Sequence, residues 1–238
     1  MDETTTNIYG IYFICCINNY LEVVKEQMEV LKKGLLNITK KLIIFITNYR
    51  ADDKLLDDIL MGYNENNKLI IVTSPENLYE KFAINNYKKY ITDANYYMYY
   101  FHTKGVKDKN NPFLHIFTSR RKLLNFYTLE KYKVNIELLQ SYDAVGCCLN
   151  LHPKKHFSGN FWWSKSDYLN NLSYINDNYL SPEMYILSND ECEFISLAND
   201  TNDTPIENYE FRDDENILQN VTKDMIIINE HIDLLHFC

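Results

Sequence analysis

The run His156-Phe157-Ser158-Gly159-Asn160-Phe161-Trp162-Trp163 holds both tryptophans of the chain beside a His, a Gly and an Asn. Aromatic faces cover the apolar C–H side of a pyranose, Asn and His bond its hydroxyls, and Gly lets a ligand approach the backbone. This set therefore suits a sugar pocket, and equally a buried strand with a Trp plug. A second tetrapeptide, His102-Thr103-Lys104-Gly105, combines a cation for a phosphate, an imidazole able to donate a hydrogen bond or ligate a metal, and a Gly for a tight turn. Its plain alternative is a strand-end turn with no ligand.

Charge supports an anionic ligand near the second motif. The net charge of −9 is unevenly spread. Ten carboxylates against Arg212 fall between residues 190 and 215, while residues 102–122 carry six Lys and Arg against Asp108 alone, a local +5. A compact cationic segment in an acidic chain fits a nucleoside diphosphate. A nucleic-acid track would show a broad basic face, so nucleic acid is not expected as a partner, and a solvated basic helix is the bland alternative.

These motifs need a scaffold, and the first half of the chain supplies its pattern. Residues 8–14, 41–47, 68–73 and 96–101 are β-rich apolar runs, with helical spacing at Leu21, Val24, Met28, Leu31 and Leu35 and a helix candidate over 51–60. Ser74-Pro75-Glu76-Asn77 has the cap-and-proline signature of a helix running to about Tyr90. The order βαβαβαβ predicts an α/β fold with a mainly parallel, Rossmann-like sheet and helices on both faces. His102 to Gly105 then falls at the carboxyl end of the fourth strand, where ligands of such sheets gather.

The second half predicts a helical stretch over 113–140, a strand over 143–149, a short helix through Leu172 capped by Ser164 or Ser166, and a helix start at Ser181-Pro182-Glu183. Residues 225–228 could return as an edge strand or short helix. No G-x-G-x-x-G or G-x-x-x-x-G-K-[ST] follows any predicted strand, which leaves dinucleotide, P-loop and methyltransferase readings without their loops.

At 238 residues with 46 % hydrophobic content, Gly 6 and Pro 5, the chain reads as one domain burying roughly 70 to 75 % of its unfolded surface. No start segment has the make-up of a secretion signal and no apolar stretch approaches the ~20 residues of a membrane span, so a soluble, cytoplasmic protein is expected. Cys15, Cys16, Cys147, Cys148, Cys192 and Cys238 lack C-x-x-C spacing and read as free thiols in a reducing compartment.

Four pieces occur in order: residues 100–106 (Tyr100-Phe101-His102-Thr103-Lys104-Gly105-Val106), Tyr142-Asp143-Ala144-Val145-Gly146, residues 156–163, and Pro182-Glu183-Met184-Tyr185. Together they resemble small GT-A-type nucleotide-sugar glycosyltransferases, found in bacterial polysaccharide loci and large DNA viruses. The resemblance spans about residues 8–198 and is most specific at the HTKG and HFSGNFWW runs. It implies a nucleotide-binding half over about 1–110, an acceptor-facing half over about 111–198, and an acidic C-terminal extension over 199–238. It also implies transfer of a sugar, with inversion, from a nucleotide-activated donor, a UDP-sugar, to a glycan or protein acceptor. The alternative is a carbohydrate-binding protein of the same fold without turnover.

On that resemblance Asn18, in the turn after the first strand, lies near the nucleobase or ribose. Lys104 with Arg120 or Arg121 neutralises the diphosphate beside His102 and Gly105, and His156, Ser158, Gly159, Asn160 and Trp162 shape the sugar site. Glu183 is the base that takes the acceptor proton, with Asp167 as the fallback; His231 and His236 stay outside the main assignment. GT-A enzymes usually carry a D-x-D motif near the strand that here ends His102-Thr103-Lys104, and none occurs. Two readings of the divalent cation, Mn²⁺ or Mg²⁺, therefore stay open. Either His102 with a distant carboxylate holds it, or cationic side chains stabilise the leaving diphosphate directly.

Overall fold

Apolar residues run unbroken along the first strand because both faces of the sheet are covered. In the computed structural model, which describes residues 6–50, 53–176 and 178–198, this strand is β1 (Asn7–Cys15), followed by β2 (Thr39–Thr47), β3 (Leu69–Thr73) and β4 (Tyr96–His102). All four are parallel. Three more strands, β5 (Ala144–Gly146), β8 (Trp162–Lys165) and β9 (Phe194–Ser196), complete a seven-stranded sheet ordered β3-β2-β1-β4-β8-β5-β9. The predicted strand over 143–149 divides: after β5 the chain forms β6 (Leu149–Asn150), which pairs with β7 (His156–Phe157) in a separate ribbon.

Helices lie on both faces. They are α1 (Tyr20–Lys32), α2 (Leu35–Ile38), α3 (Lys54–Met61), α4 (Lys81–Ile84), α5 (Leu114–Asn125), α6 (Tyr132–Leu138), α7 (Ser166–Asn171) and α8 (Ser181–Met184). On one face Tyr12, Ile14, Ile44, Phe101 and Trp163 pack with Val24, Met28 and Leu31 of α1, Leu56 and Leu60 of α3, and Leu124 of α5. On the other, Tyr9, Ile11, Phe13, Phe45, Tyr100 and Trp162 meet Ala83 and Ile84 of α4, Leu169 of α7, and Tyr185. Each such side chain contributes about 1.5 to 3 kcal/mol on burial.

One helix expectation is corrected and another is borne out. The helix predicted from Ser74 to Tyr90 reduces to α4 and a 3₁₀ turn at Tyr87–Tyr90. Residues 74–80 instead strap across the sheet end, with Ser74 O accepting from Tyr49 N at 3.1 Å and Glu76 O from Asn48 N at 3.3 Å. The helical stretch over 113–140 exists as α5 and α6, joined by a π-helical turn at Phe126–Glu130. The acidic extension over 199–238, with the proposed strand at 225–228, His231, His236 and Cys238, lies outside the described residues. Among the described residues no helix is long and apolar enough to cross a membrane.

The order places β1 between β2 and β4, so the chain reverses direction of travel at β1, a switch point of the kind where loops diverge to leave a crevice. The two loops there are tied together. Cys15 N donates to Thr103 Oγ1 at 3.1 Å, Thr103 N to Phe13 O at 3.0 Å, and Lys107 N to Asn19 Oδ1 at 2.9 Å.

Candidate functional site

Strand β8 runs antiparallel to β4, with Tyr97 opposite Lys165 and Tyr100 opposite Trp162. Extending that register sets His102 opposite Asn160. The reversed strand therefore delivers residues 158–160 to the carboxyl end of β4, and the two sequence motifs become one site. His102 Nε2 lies 2.9 Å from the Gly159 carbonyl oxygen. A carbonyl only accepts, so Nε2 carries the proton. The turn is left-handed, with φ of 101° at Gly159 and 56° at Asn160. At Gly159 the conformation and the space both demand glycine, because an added Cβ would stand 2.7 Å from Leu124 Cδ1.

Two carboxylates close on this turn. Glu183 Oε1 accepts from Gly159 N at 2.8 Å. Glu80, which the sequence reading did not single out, has Oε2 accepting from Asn160 Nδ2 at 2.6 Å and from the Tyr100 hydroxyl at 2.9 Å. Its Oε1 is 3.8 Å from His102 Nε2. Trp162 Nε1 donates to Asn160 Oδ1 at 2.9 Å, which fixes the Asn160 amide so that its NH₂ faces Glu80. Burial holds the His102 pKa below its ordinary value against the pull of Glu80, and the Lys104 charge adds to the lowering. Burial first, then Glu80, pushes the Tyr100 hydroxyl well up, keeping it a donor.

The cationic side is built by a buried network under residues 102–104. Tyr12 OH donates to Gln27 Oε1 at 2.8 Å, and Gln27 Nε2 donates to His102 O at 3.0 Å and Asn125 Oδ1 at 3.1 Å. Asn125 Nδ2 donates to Glu26 Oε1 at 3.1 Å, and Glu26 receives Arg121 in a two-pronged pair at 3.0 and 2.9 Å. Arg121 Nη1 reaches the Lys104 carbonyl at 3.2 Å. Lys104 itself is half-buried beside a tight turn at Gly105, whose φ is 73°. Arg120 is also half-buried, with Nη2 3.5 Å from Ser158 O. Lys104 lies two residues beyond β4, and the 158–160 turn bound by Glu80 and Glu183 is set at that same strand end, so cation and carboxylates gather at one end of the sheet.

Not every expected residue joins the cluster. Asn18 is exposed in the turn after β1, with φ of 51°. Arg121 is buried and its donors face Glu26 and Lys104 O, which corrects the expectation that it meets the diphosphate; it braces the Lys104 backbone instead. Trp162 is buried with its face stacked on Tyr100 at 5.2 Å, so the open sugar platform expected there is a plug, because β8 lies inside the sheet. His156 is buried in β7 and its Nδ1 donates to Lys154 O at 2.7 Å. Half-buried Ser158 is held by its N–H to Cys148 O at 2.8 Å. Asp167 is exposed in α7, next to Ser166, whose Oγ accepts from Tyr96 N at 3.2 Å. That is the amino end of β4, about 20 Å along the strand from His102. Asp167 is corrected as a fallback base on that ground.

The Nε2 proton of His102 goes to Gly159 O, which leaves Nδ1 as the ring atom with a lone pair for a cation. Among the described residues no three His, Cys, Asp or Glu side chains form a metal-binding group. A cavity of about 320 Å³, lined by Lys32, Leu36, Tyr63, Glu65 and Lys68 among others, lies at the amino ends of β2 and β3, the far end of the sheet from this crevice.

No curated protein matches the chain. Among solved structures, HddC from Yersinia pseudotuberculosis aligns with a TM-score of 0.47 and 16 % identity over 80 % of this chain and 90 % of its own. The mannosyltransferase PcManGT from Pyrobaculum calidifontis, solved with GDP-Man and Mn²⁺, gives a TM-score of 0.49 and 10 % identity over 81 % of this chain and 55 % of its own. The 4-diphosphocytidyl-2C-methyl-D-erythritol synthase of Anaerococcus prevotii gives 0.49 and 11 % over 92 % and 96 %. All three TM-scores lie below one half, so function is argued from this chain's own residues. In sequence the match is to a family model over residues 13–210, and the chain belongs to that family, described as a domain of unknown function (DUF8361).

Proposed function

We propose that the chain is a glycosyltransferase that moves a sugar from a nucleotide-activated donor to a glycan or protein acceptor by single displacement. One observation carries the reading: Lys104 stands at the carboxyl end of β4, and the reversed strand brings the turn bound by Glu80 and Glu183 to that same end. The acceptor hydroxyl gives its proton to Glu183 while its oxygen bonds to the anomeric carbon. The bond from that carbon to the diphosphate oxygen breaks, its electron pair leaving with the diphosphate, and the anomeric centre inverts. Lys104 and Arg120 take up the charge of the leaving diphosphate. Glu80 is the polar group suited to a sugar hydroxyl, held by the buried Asn160, whose amide is spent on Glu80 and Trp162, and a UDP-sugar is the donor that the motif resemblance implies.

Glu183 has a physical handicap as a base, because its Oε1 is already taken by the Gly159 N–H and only the second oxygen is left for an acceptor proton. That observation favours the second reading, a sugar-binding protein of the same fold without turnover. Both are tested by a thermal-shift panel of UDP, GDP, CMP, dTDP and S-adenosylmethionine, each with and without Mn²⁺, followed by donor hydrolysis. A selective shift with one nucleoside diphosphate and release of sugar are expected. No shift with any nucleotide would leave the binding-protein reading standing.

A further inference from the structure

Tyr79 and Tyr179 are exposed aromatics, at 52 % and 80 % of their surface, and they touch each other edge to face with ring centroids 6.1 Å apart. Isolated exposed rings are ordinary; two rings in contact across different loops make a patch. Each loop leads directly into a site carboxylate. Tyr79 precedes Glu80, and Tyr179 stands four residues before Glu183. The helices that follow these loops, α4 and α8, pack against each other, which keeps the rings together at the same side of the crevice.

Local hydrogen bonds run along both segments. Tyr79 holds a left-handed φ of 53°, a conformation unfavourable for a bulky side chain, and its N–H is bound by Asn77 Oδ1 at 3.2 Å. On the other loop, Asn176 Oδ1 accepts from Asn178 N and Asn178 Oδ1 accepts from Leu180 N, both at 3.0 Å.

We propose that Tyr79 and Tyr179 form a saccharide platform on which a sugar ring of the acceptor rests, beside Glu80 and Glu183. This rests on the transferase reading above and narrows its acceptor to a glycan. The surroundings select that occupant. Asn77, Asn176, Asn178 and Ser181 lie in the same two segments as the rings, with Leu180 an exposed aliphatic neighbour, so the aromatic pair stands among mainly polar sequence neighbours able to form a rim. A pyranose offers the matching face, flat and apolar in the middle with hydroxyls at its edge. An apolar peptide would leave that rim unpaired.

The test is calorimetric titration of the full chain with cellobiose, maltose, lactose and N,N′-diacetylchitobiose, and separately with UDP. Wild type is expected to bind at least one disaccharide, and Tyr79→Ala with Tyr179→Ala to weaken it roughly tenfold or more, as losing two ring contacts implies. Tyr179→Phe, which keeps the ring, retains binding, and UDP affinity stays unchanged in all variants, showing that they fold. Failure of wild type to bind any of the four sugars, or undiminished affinity in the double variant, overturns the platform. Disaccharide binding lost with the tyrosines in a protein that takes no nucleoside diphosphate sustains the platform and sinks the transferase reading alone.

Discussion

His102 donates from Nε2 to the carbonyl oxygen of Gly159 across 2.9 Å, joining two segments 57 residues apart in the chain. This bond fixes the imidazole tautomer and holds the 158–160 turn over the end of β4. It also leaves the chemistry to its neighbours, since a neutral, committed imidazole is neither a base toward substrate through Nε2 nor a cation.

The imidazole makes stability pH-dependent. Burial, reinforced by Lys104, holds the native His102 pKa below its ordinary 6.5, so the unfolded chain takes up the proton first as pH falls. The His102 contribution is full above about pH 6.5 and is lost as pH falls through that value toward the lowered native one. Urea unfolding between about pH 5 and 7.5 will show stability rising with pH. His102→Gln, which can still donate an N–H to Gly159 O, will have a flatter profile; an unchanged slope would assign it to other groups.

Lys104→Ala removes the cation most directly placed for a diphosphate. Loss of a charge-assisted bond of about 1.5 to 3 kcal/mol corresponds to roughly 10- to 150-fold weaker nucleoside-diphosphate binding. Its side chain is half-exposed, so the melting temperature should hardly move. Equal affinity in titration calorimetry would remove Lys104 from the site.

Glu183→Gln retains an amide oxygen able to accept from Gly159 N, so the turn survives while the base is lost. Turnover should fall by about 10²- to 10⁴-fold with donor binding preserved. A variant as fast as wild type would pass the role of base to another group, and Glu80 is the carboxylate then to be tested.

Gly159→Ala brings a Cβ to 2.7 Å from Leu124 Cδ1 at a φ of 101°. The combined clash and backbone strain should cost about 1 to 3 kcal/mol. Chemical denaturation measures it directly, and a neutral result would mean that Leu124 and the turn relax together.

Glu26→Ala strands the Arg121 guanidinium, which is 3 % exposed, and should destabilise the fold by about 3 to 5 kcal/mol. Replacing both partners with apolar residues should cost less, because no buried charge is then left alone. The comparison of single and double variants in denaturant separates bracing of the Lys104 backbone from a direct role in binding.

The parallel half was legible because β1, β2 and β4 are buried on both faces and read as unbroken apolar runs, which also located His102 and Lys104 at a strand end. The reversal of β8 was not. It has four residues, and its direction is set by pairing with β4 and β5, strands distant in sequence. Glu80 escaped for a related reason: the Ser-Pro start at residues 74–77 reads as a helix, whereas tertiary bonds to Asn48 and Tyr49 pull that segment into a strap. Asp167 lies in the first turn of a helix, but that helix begins only after β8 has carried the chain back to the amino end of β4. The tryptophans carried a real signal of a special segment; what they mark is a strand covered on both sides, since adjacent residues face opposite cores.

That last point bears on tolerance to insertion. Trp162 belongs to one core and Trp163 to the other, and each indole N–H is anchored, to Asn160 Oδ1 and to Thr128 O. A single residue added between Asn160 and Trp162 would leave two outcomes. Either both indoles exchange cores and lose their anchors, or they stay and the 158–160 turn is displaced by about 3.3 Å from His102. Length in this segment is therefore under double constraint, and variants that shift it should lose the folded sheet or the crevice, but not trade one gradually for the other.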